Sequence, residues 1–86
     1  MLHITEISHV RERVVRVVFD DGLSGHVDFV GKLNGPVFEL LEDNACFAKA
    51  YVDPELETIV WPDGADLAPE FVRDLLLEQN PARRHG

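Results

Sequence analysis

Nucleophiles are few in this chain. Ser8, Ser24 and Cys46 are its only serines and cysteine. A hydrolytic triad needs such a group beside a base that an acid orients. None of the three lies in a Gly-x-Ser-x-Gly elbow. Cys46 is set between Ala45, Phe47 and Ala48, the surroundings of a small core residue. His3, His9 and His26 fall in strand-like sequence, and no two have a spacing such as His-x-His that makes a metal site. They read as surface histidines. Asp63 and Asp66 flank Gly64 in a loop that resembles a cation loop only in outline, because calcium needs five or more oxygens at set intervals. Asp63-Gly64 is more simply a turn, and Asp66 stands near enough to the last helix to help cap it. Neither Gly-x-Gly-x-x-Gly nor a Walker sequence is present. The expectation is a non-enzyme with no catalytic residue, no metal and no cofactor.

Charge is more informative. The chain has 86 residues, with 8 Lys+Arg against 16 Asp+Glu and a formal net charge of -8. Residues 38–70 hold nine of the acids and a single base, Lys49. Such a segment repels phosphate, so direct nucleic-acid binding is not expected there. It suits a basic partner protein, or plain solubility. Trp61 lies within it and has two readings. It packs over the rim of the core with its indole N–H on a loop carbonyl, or it is a hot spot for a partner chain. Glu55, Glu57, Trp61, Asp63 and Asp66 are therefore the candidate partner-binding residues.

These residues need a scaffold, and the first third of the chain reads as strands. Residues 3–10 are half apolar and β-branched, and Arg11-Glu12 reads as a turn. Residues 13–19 and 23–29 flank Asp20-Asp21-Gly22. A two-residue Asp21-Gly22 loop would put Val15, Val17 and Phe19 on the opposite face from Leu23, Gly25, Val27 and Phe29. A three-residue loop pairs Phe19 with Leu23 and brings all seven to one face. The three-residue hairpin follows, with Gly22 left-handed and Arg16 opposite His26.

Asn34-Gly35-Pro36 breaks the chain. Pro36 then opens a short helix whose apolar stripe is Val37, Phe38, Leu40 and Leu41, ending near Asp43-Asn44. Residues 46–48 suit a further helical turn. Residues 49–53 and 57–61 suit two short strands, the second stopped by Pro62. Pro69 and Glu70 begin the last helix, with Phe71, Val72, Leu75, Leu76 and Gln79 as its core face and Asn80-Pro81 as its end. The order β-β-β-α-β-β-α predicts an α+β fold, a small curved, mostly antiparallel sheet with helices packed on one face. Residues 1–80 form one domain and 81–86 a flexible tail. A chain this short buries only about 60–65% of its unfolded surface, so a homodimer stays open. No apolar run of membrane-spanning length or signal peptide is seen, and the cytoplasm is the expected compartment.

One stretch is more specific. Asp53 to Glu70 reads Asp-Pro-Glu-Leu-Glu-Thr-Ile-Val-Trp-Pro-Asp-Gly-Ala-Asp-Leu-Ala-Pro-Glu. With Ile4-Thr5-Glu6-Ile7, Val18 to Gly22 and Gly35 to Leu41, it resembles the small bacterial family called domain of unknown function 2442, over about residues 3–76. The resemblance implies a compact α+β fold, carries over no catalytic residue, and implies a small protein encoded beside this one, in a toxin–antitoxin-like pair. Some relatives add a helix-turn-helix, for which this chain leaves no room after its last helix. The expected function is a non-enzymatic interaction module of a two-protein system, antitoxin-like, whose partner docks around Trp61. A small-molecule-sensing or regulatory domain is the alternative. The charge makes a direct prediction. The isolated protein passes through heparin unretained at physiological salt, since Arg83-Arg84 is too small a basic cluster to reverse the balance. Retention on the column, or micromolar binding to random duplex DNA, contradicts it.

Overall fold

The Asp20-Asp21-Gly22 loop sets the register of the main sheet. The computed structural model describes residues 2–81. Strands β1 (Ile4–Arg11), β2 (Val14–Phe19) and β3 (Ser24–Asp28) form an antiparallel sheet in that order. Val15 faces Val27, Arg16 faces His26 and Val17 faces Gly25. The Phe19 N–H donates to the Leu23 carbonyl at 2.8 Å, and the Gly22 N–H to the Phe19 carbonyl at 3.0 Å. Gly22 has φ +91°. This is the three-residue hairpin. Val15, Val17, Phe19, Val27 and Phe29 are all buried on the shared face, with Leu23 packed at its margin.

The first turn lies one residue later than its sequence suggests. β1 runs on to Arg11, and the chain reverses through Glu12 at φ +37° and Arg13. The β1–β2 register shifts between Ile4 and Glu6 and again between His9 and Arg11. Bulges of this kind break the two-residue period that sequence reading relies on. His9 Nε2 closes the turn on the Glu12 carbonyl at 2.8 Å.

The segment after Pro36 is helical, but it is a 3-10 helix, Pro36–Glu42. At three residues per turn, positions i and i+3 eclipse. Phe38 and Leu41 therefore turn toward the core, while Val37 and Leu40 turn out, 47% and 65% exposed. The expected four-residue apolar stripe is thus split in two. Helix α1 (Asn44–Phe47) follows, capped by the Asp43 carboxylate, which accepts from the Ala45 N–H at 2.8 Å.

Strands β4 (Tyr51–Val52) and β5 (Ile59–Val60) pair antiparallel as a separate two-stranded sheet. They do not extend the main sheet. Asp53 Oδ1 accepts from the Glu55 and Leu56 N–H groups at 2.8 and 3.0 Å, pulling the chain into a tight turn after two strand residues. The Ile4 N–H to Glu57 carbonyl bond, 2.9 Å, ties the two sheets together.

Helix α2 (Pro69–Gln79) buries Val72, Leu75 and Leu76. Phe71, expected on this face, is 37% exposed. Gln79 is exposed as well, but it works as a backbone mimic. Its Oε1 accepts from the Asp28 N–H at 2.8 Å, and its Nε2 donates to the Asp28 carbonyl at 2.9 Å. Asn80 Nδ2 donates to the His26 and Leu76 carbonyls, at 3.1 and 2.8 Å. Together they occupy part of the open edge of β3. Ala68, not Asp66, is the N-cap residue of α2, and no side chain caps it. Asp66 is held instead in a single antiparallel bridge with Val60. Among the described residues no helix is long and apolar enough to cross a membrane. Residues 82–86 of the expected tail lie outside the described residues.

The hairpin supports two predictions. Gly22→Val lowers stability by about 1–2 kcal/mol in urea unfolding; a Cβ there meets no atom within 4 Å, so the penalty is purely the backbone conformation. Asp21 is held below the usual 3.8, first by the Leu23 N–H on its carboxylate and then by the Arg73 guanidinium at 2.7 Å. A depressed carboxylate stabilises the fold above the unfolded value and loses that contribution as pH falls through the folded one. Asp21→Asn therefore flattens the decline in urea midpoint as pH falls below the ordinary carboxylate value of 3.8. An unchanged slope contradicts the assignment.

Candidate docking site around Trp61

β5 delivers Trp61 to a turn that forces its side chain inward. The Trp61 N–H donates to the Ala65 carbonyl and the Gly64 N–H to the Trp61 carbonyl, both at 2.9 Å. Gly64 has φ +95°, and Asp63 Oδ1 accepts from the Ala65 N–H at 3.0 Å. The Asp63-Gly64 turn is as its sequence reads. The indole is 1% exposed, and its N–H donates to the Phe47 carbonyl at 2.9 Å. Phe38 meets the indole edge-on at 6.4 Å between ring centroids, and Phe47 lies tilted at 5.7 Å.

Phe47 is the second half of this knot. Phe29 from the end of the hairpin packs on it at 6.0 Å, and the His9 ring approaches edge-to-face at 6.0 Å. The Arg13 guanidinium lies 5.0 Å from the Phe47 centroid, and Arg13 Nη1 donates to the Leu41 carbonyl. Arg13 thus joins the first turn of the main sheet to the end of the 3-10 helix. Sequence reading does not single out this structural position, although a signal for it is present. Arg13 shares the inward parity of Val15, Val17 and Phe19, and a cation on a core face requires a partner.

Outside the knot lies a shallow apolar hollow of about 140 Å3, lined by Leu40, Leu41, Cys46, Trp61 and Pro62, with Lys49 and Asp63 at its margin. The other candidate residues are distributed unevenly. Asp63 stands at the hollow beside Trp61. Asp66 is exposed on the bridge to Val60. Glu55 is exposed in the turn before β5, at the other end of that strand from Trp61. Glu57 is committed within the chain. It sits at φ +54°, and its Oε2 lies 2.5 Å from His3 Nδ1, with Asp20 a further 3.7 Å from the same nitrogen. Trp61 itself is packed with its N–H on the carbonyl at the end of α1, so it supports the hollow from behind and offers almost no surface of its own. Among the described residues no three His, Cys, Asp or Glu side chains are grouped as metal ligands.

Fold and site together define a small α+β domain, an antiparallel hairpin sheet closed by short helices, with an apolar hollow in its most acidic segment. The chain belongs to the family described as protein of unknown function (DUF2442), whose model matches residues 4–75. No curated protein and no solved structure matches the chain.

The knot carries its own prediction. Trp61→Phe removes the indole donor, leaves the Phe47 carbonyl unpaired and opens a void. It lowers stability by about 2–4 kcal/mol, read as a shifted urea midpoint. A loss below about 0.5 kcal/mol contradicts the role given to the indole, because that is the size of an ordinary surface change.

Proposed function

We propose that this chain is a non-enzymatic interaction module, the antitoxin-like member of a bacterial two-protein system, whose partner is a basic protein encoded by the adjacent gene. The observation that carries the reading is the coincidence of charge and apolar surface. Residues 38–70, with nine acids and one base, are the segment that lines the hollow beside Trp61. An acidic rim speeds encounter with a basic partner, and apolar groups inside it supply most of the affinity.

At this hollow, size favours docking over small-molecule sensing; the hollows beside Glu39 and beside Arg16 are larger, about 250 and 290 Å3. Sites for small ligands enclose roughly 300–1,000 Å3. The hollow, at about 140 Å3, accommodates a side chain more readily than a metabolite. The family likeness brings no catalytic residue with it, and the reading needs none.

The test uses the neighbour-encoded protein directly. Glu55→Lys with Asp66→Lys changes two exposed carboxylates that make no side-chain hydrogen bond among those described. Glu57 is spared because of its His3 pair. The double variant keeps its melting temperature within a few degrees and associates roughly tenfold more slowly at low salt. Folded protein with an unchanged association rate and salt slope contradicts docking on the acidic segment. No association by the wild-type protein contradicts the module reading itself.

A further inference from the structure

Leu40 joins two observations that the charge argument does not use. It is 65% exposed, and it also forms one wall of the hollow. One 3-10 turn earlier, Val37 is 47% exposed on the same side of the helix. Isolated surface apolar residues need no explanation, but here the exposed side chains run straight into a concave apolar floor. That floor is firm. Trp61 and Leu41 are buried, and the indole is hydrogen-bonded from behind to the Phe47 carbonyl. At about 140 Å3 the hollow is well below the size of a small-ligand site and suits a single side chain.

Charge around this apolar track is balanced at the floor and acidic farther out. At the hollow itself Lys49 and Asp63 both stand in the lining, and Arg13 bonds to the Leu41 carbonyl. Glu39 and Glu42, on the next face of the 3-10 helix, line a neighbouring hollow and belong to a segment, residues 38–70, with nine acids. A second copy of this chain would bring a further net charge of -8 against the same face. The net charge of the chain and of this segment, rather than the lining of the hollow, therefore selects a cationic occupant.

We propose that the hollow beside Trp61 is an anchor pocket for one apolar side chain of a lysine- or arginine-rich amphipathic segment, with Val37 and Leu40 as the ridge along which that segment lies. This rests on the interaction-module reading and adds to it the contact surface and the chemistry of the docked element. The pocket supplies retention and the carboxylates supply approach, so the two are separable by mutation.

The probe is a synthetic amphipathic peptide of about 16 residues, with leucines at helical spacing and lysines elsewhere. Its controls replace the lysines by glutamates or the leucines by alanines. Titrated into the full chain, the leucine–lysine peptide shifts the NMR signals of Leu40, Cys46, Asp63 and the single indole N–H of Trp61. It also slows alkylation of Cys46, the only cysteine and a residue of the hollow. Leu40→Asp weakens binding roughly tenfold, as expected for a buried apolar anchor contact. Val37→Glu does the same more weakly, and keeps the test decisive if Leu40→Asp disturbs folding. Shifts mapping elsewhere, equal binding of the glutamate peptide, or a folded Leu40→Asp protein that binds like wild type overturns the pocket. If the neighbour-encoded protein binds wild type and Leu40→Asp equally well, the pocket fails while the module reading stands. If that protein does not bind at all while the peptide still maps to the hollow, the module reading fails and the pocket stands.

Discussion

The hydrogen bond from the Trp61 indole to the Phe47 carbonyl is the constraint on which the rest of this small domain depends. It spans 14 residues of sequence, is fully buried, and joins the loop after β5 to the end of α1. Neither segment has much regular structure of its own. β4 and β5 are two residues each, and α1 is four. Elements that short are not stable alone. They are held because Phe47 and Trp61 share one aromatic cluster with Phe29 of the hairpin and Phe38 of the 3-10 helix. Arg13 adds a cation over the same ring and a bond to the Leu41 carbonyl. Three further stretches of chain thus converge on these two side chains.

The arrangement has a consequence for the surface. With Trp61 and Phe47 buried, the face outside them is built by a 3-10 helix and two tight turns whose outward groups are free to carry function. That face holds the apolar hollow, the exposed Val37 and Leu40, and much of the acidic charge. At the opposite side of the molecule's logic, Gln79 and Asn80 bond to the backbone of β3. One edge of the main sheet is thereby partly occupied, which lowers its tendency to pair with other chains. Other exposed apolar side chains, Val10, Val30 and Phe71 among them, lie outside the acidic segment, so the hollow is set apart by its concave floor rather than by exposure alone.

Sequence reading succeeded where one geometric constraint decided the outcome. The Asp20–Gly22 loop is such a case, because a single residue of register puts seven residues on the same face or on opposite ones. The Asp63-Gly64 turn and the strand after Pro54 were legible for similar local reasons. What failed was helical period. Val37, Phe38, Leu40 and Leu41 fit an α-helical stripe, and only the tighter 3-10 winding explains why half of them face outward. In α2 the α-helical period holds for Val72, Leu75 and Leu76, whereas Phe71 lies off that stripe and is exposed, and Gln79 serves as an edge cap. Asp66 was placed as a helix cap from proximity alone, whereas its bridge to Val60 is a tertiary choice. In the candidate site, Asp63 and Trp61 come together as expected. The side-chain pair of Glu57 with His3 was invisible because it depends on how the two sheets dock.

Native-state hydrogen exchange measures the central claim most directly. The Trp61 indole N–H and the Phe47 and Ala48 amides should exchange only through global unfolding, with the same free energy as the amides of β2 in the main sheet. Equal protection, lost in parallel as urea is added, is the result this account predicts. Exchange of those three protons several kcal/mol more easily than β2 would contradict it, because α1 and the Trp61 loop would then open on their own and could not hold the docking face in place.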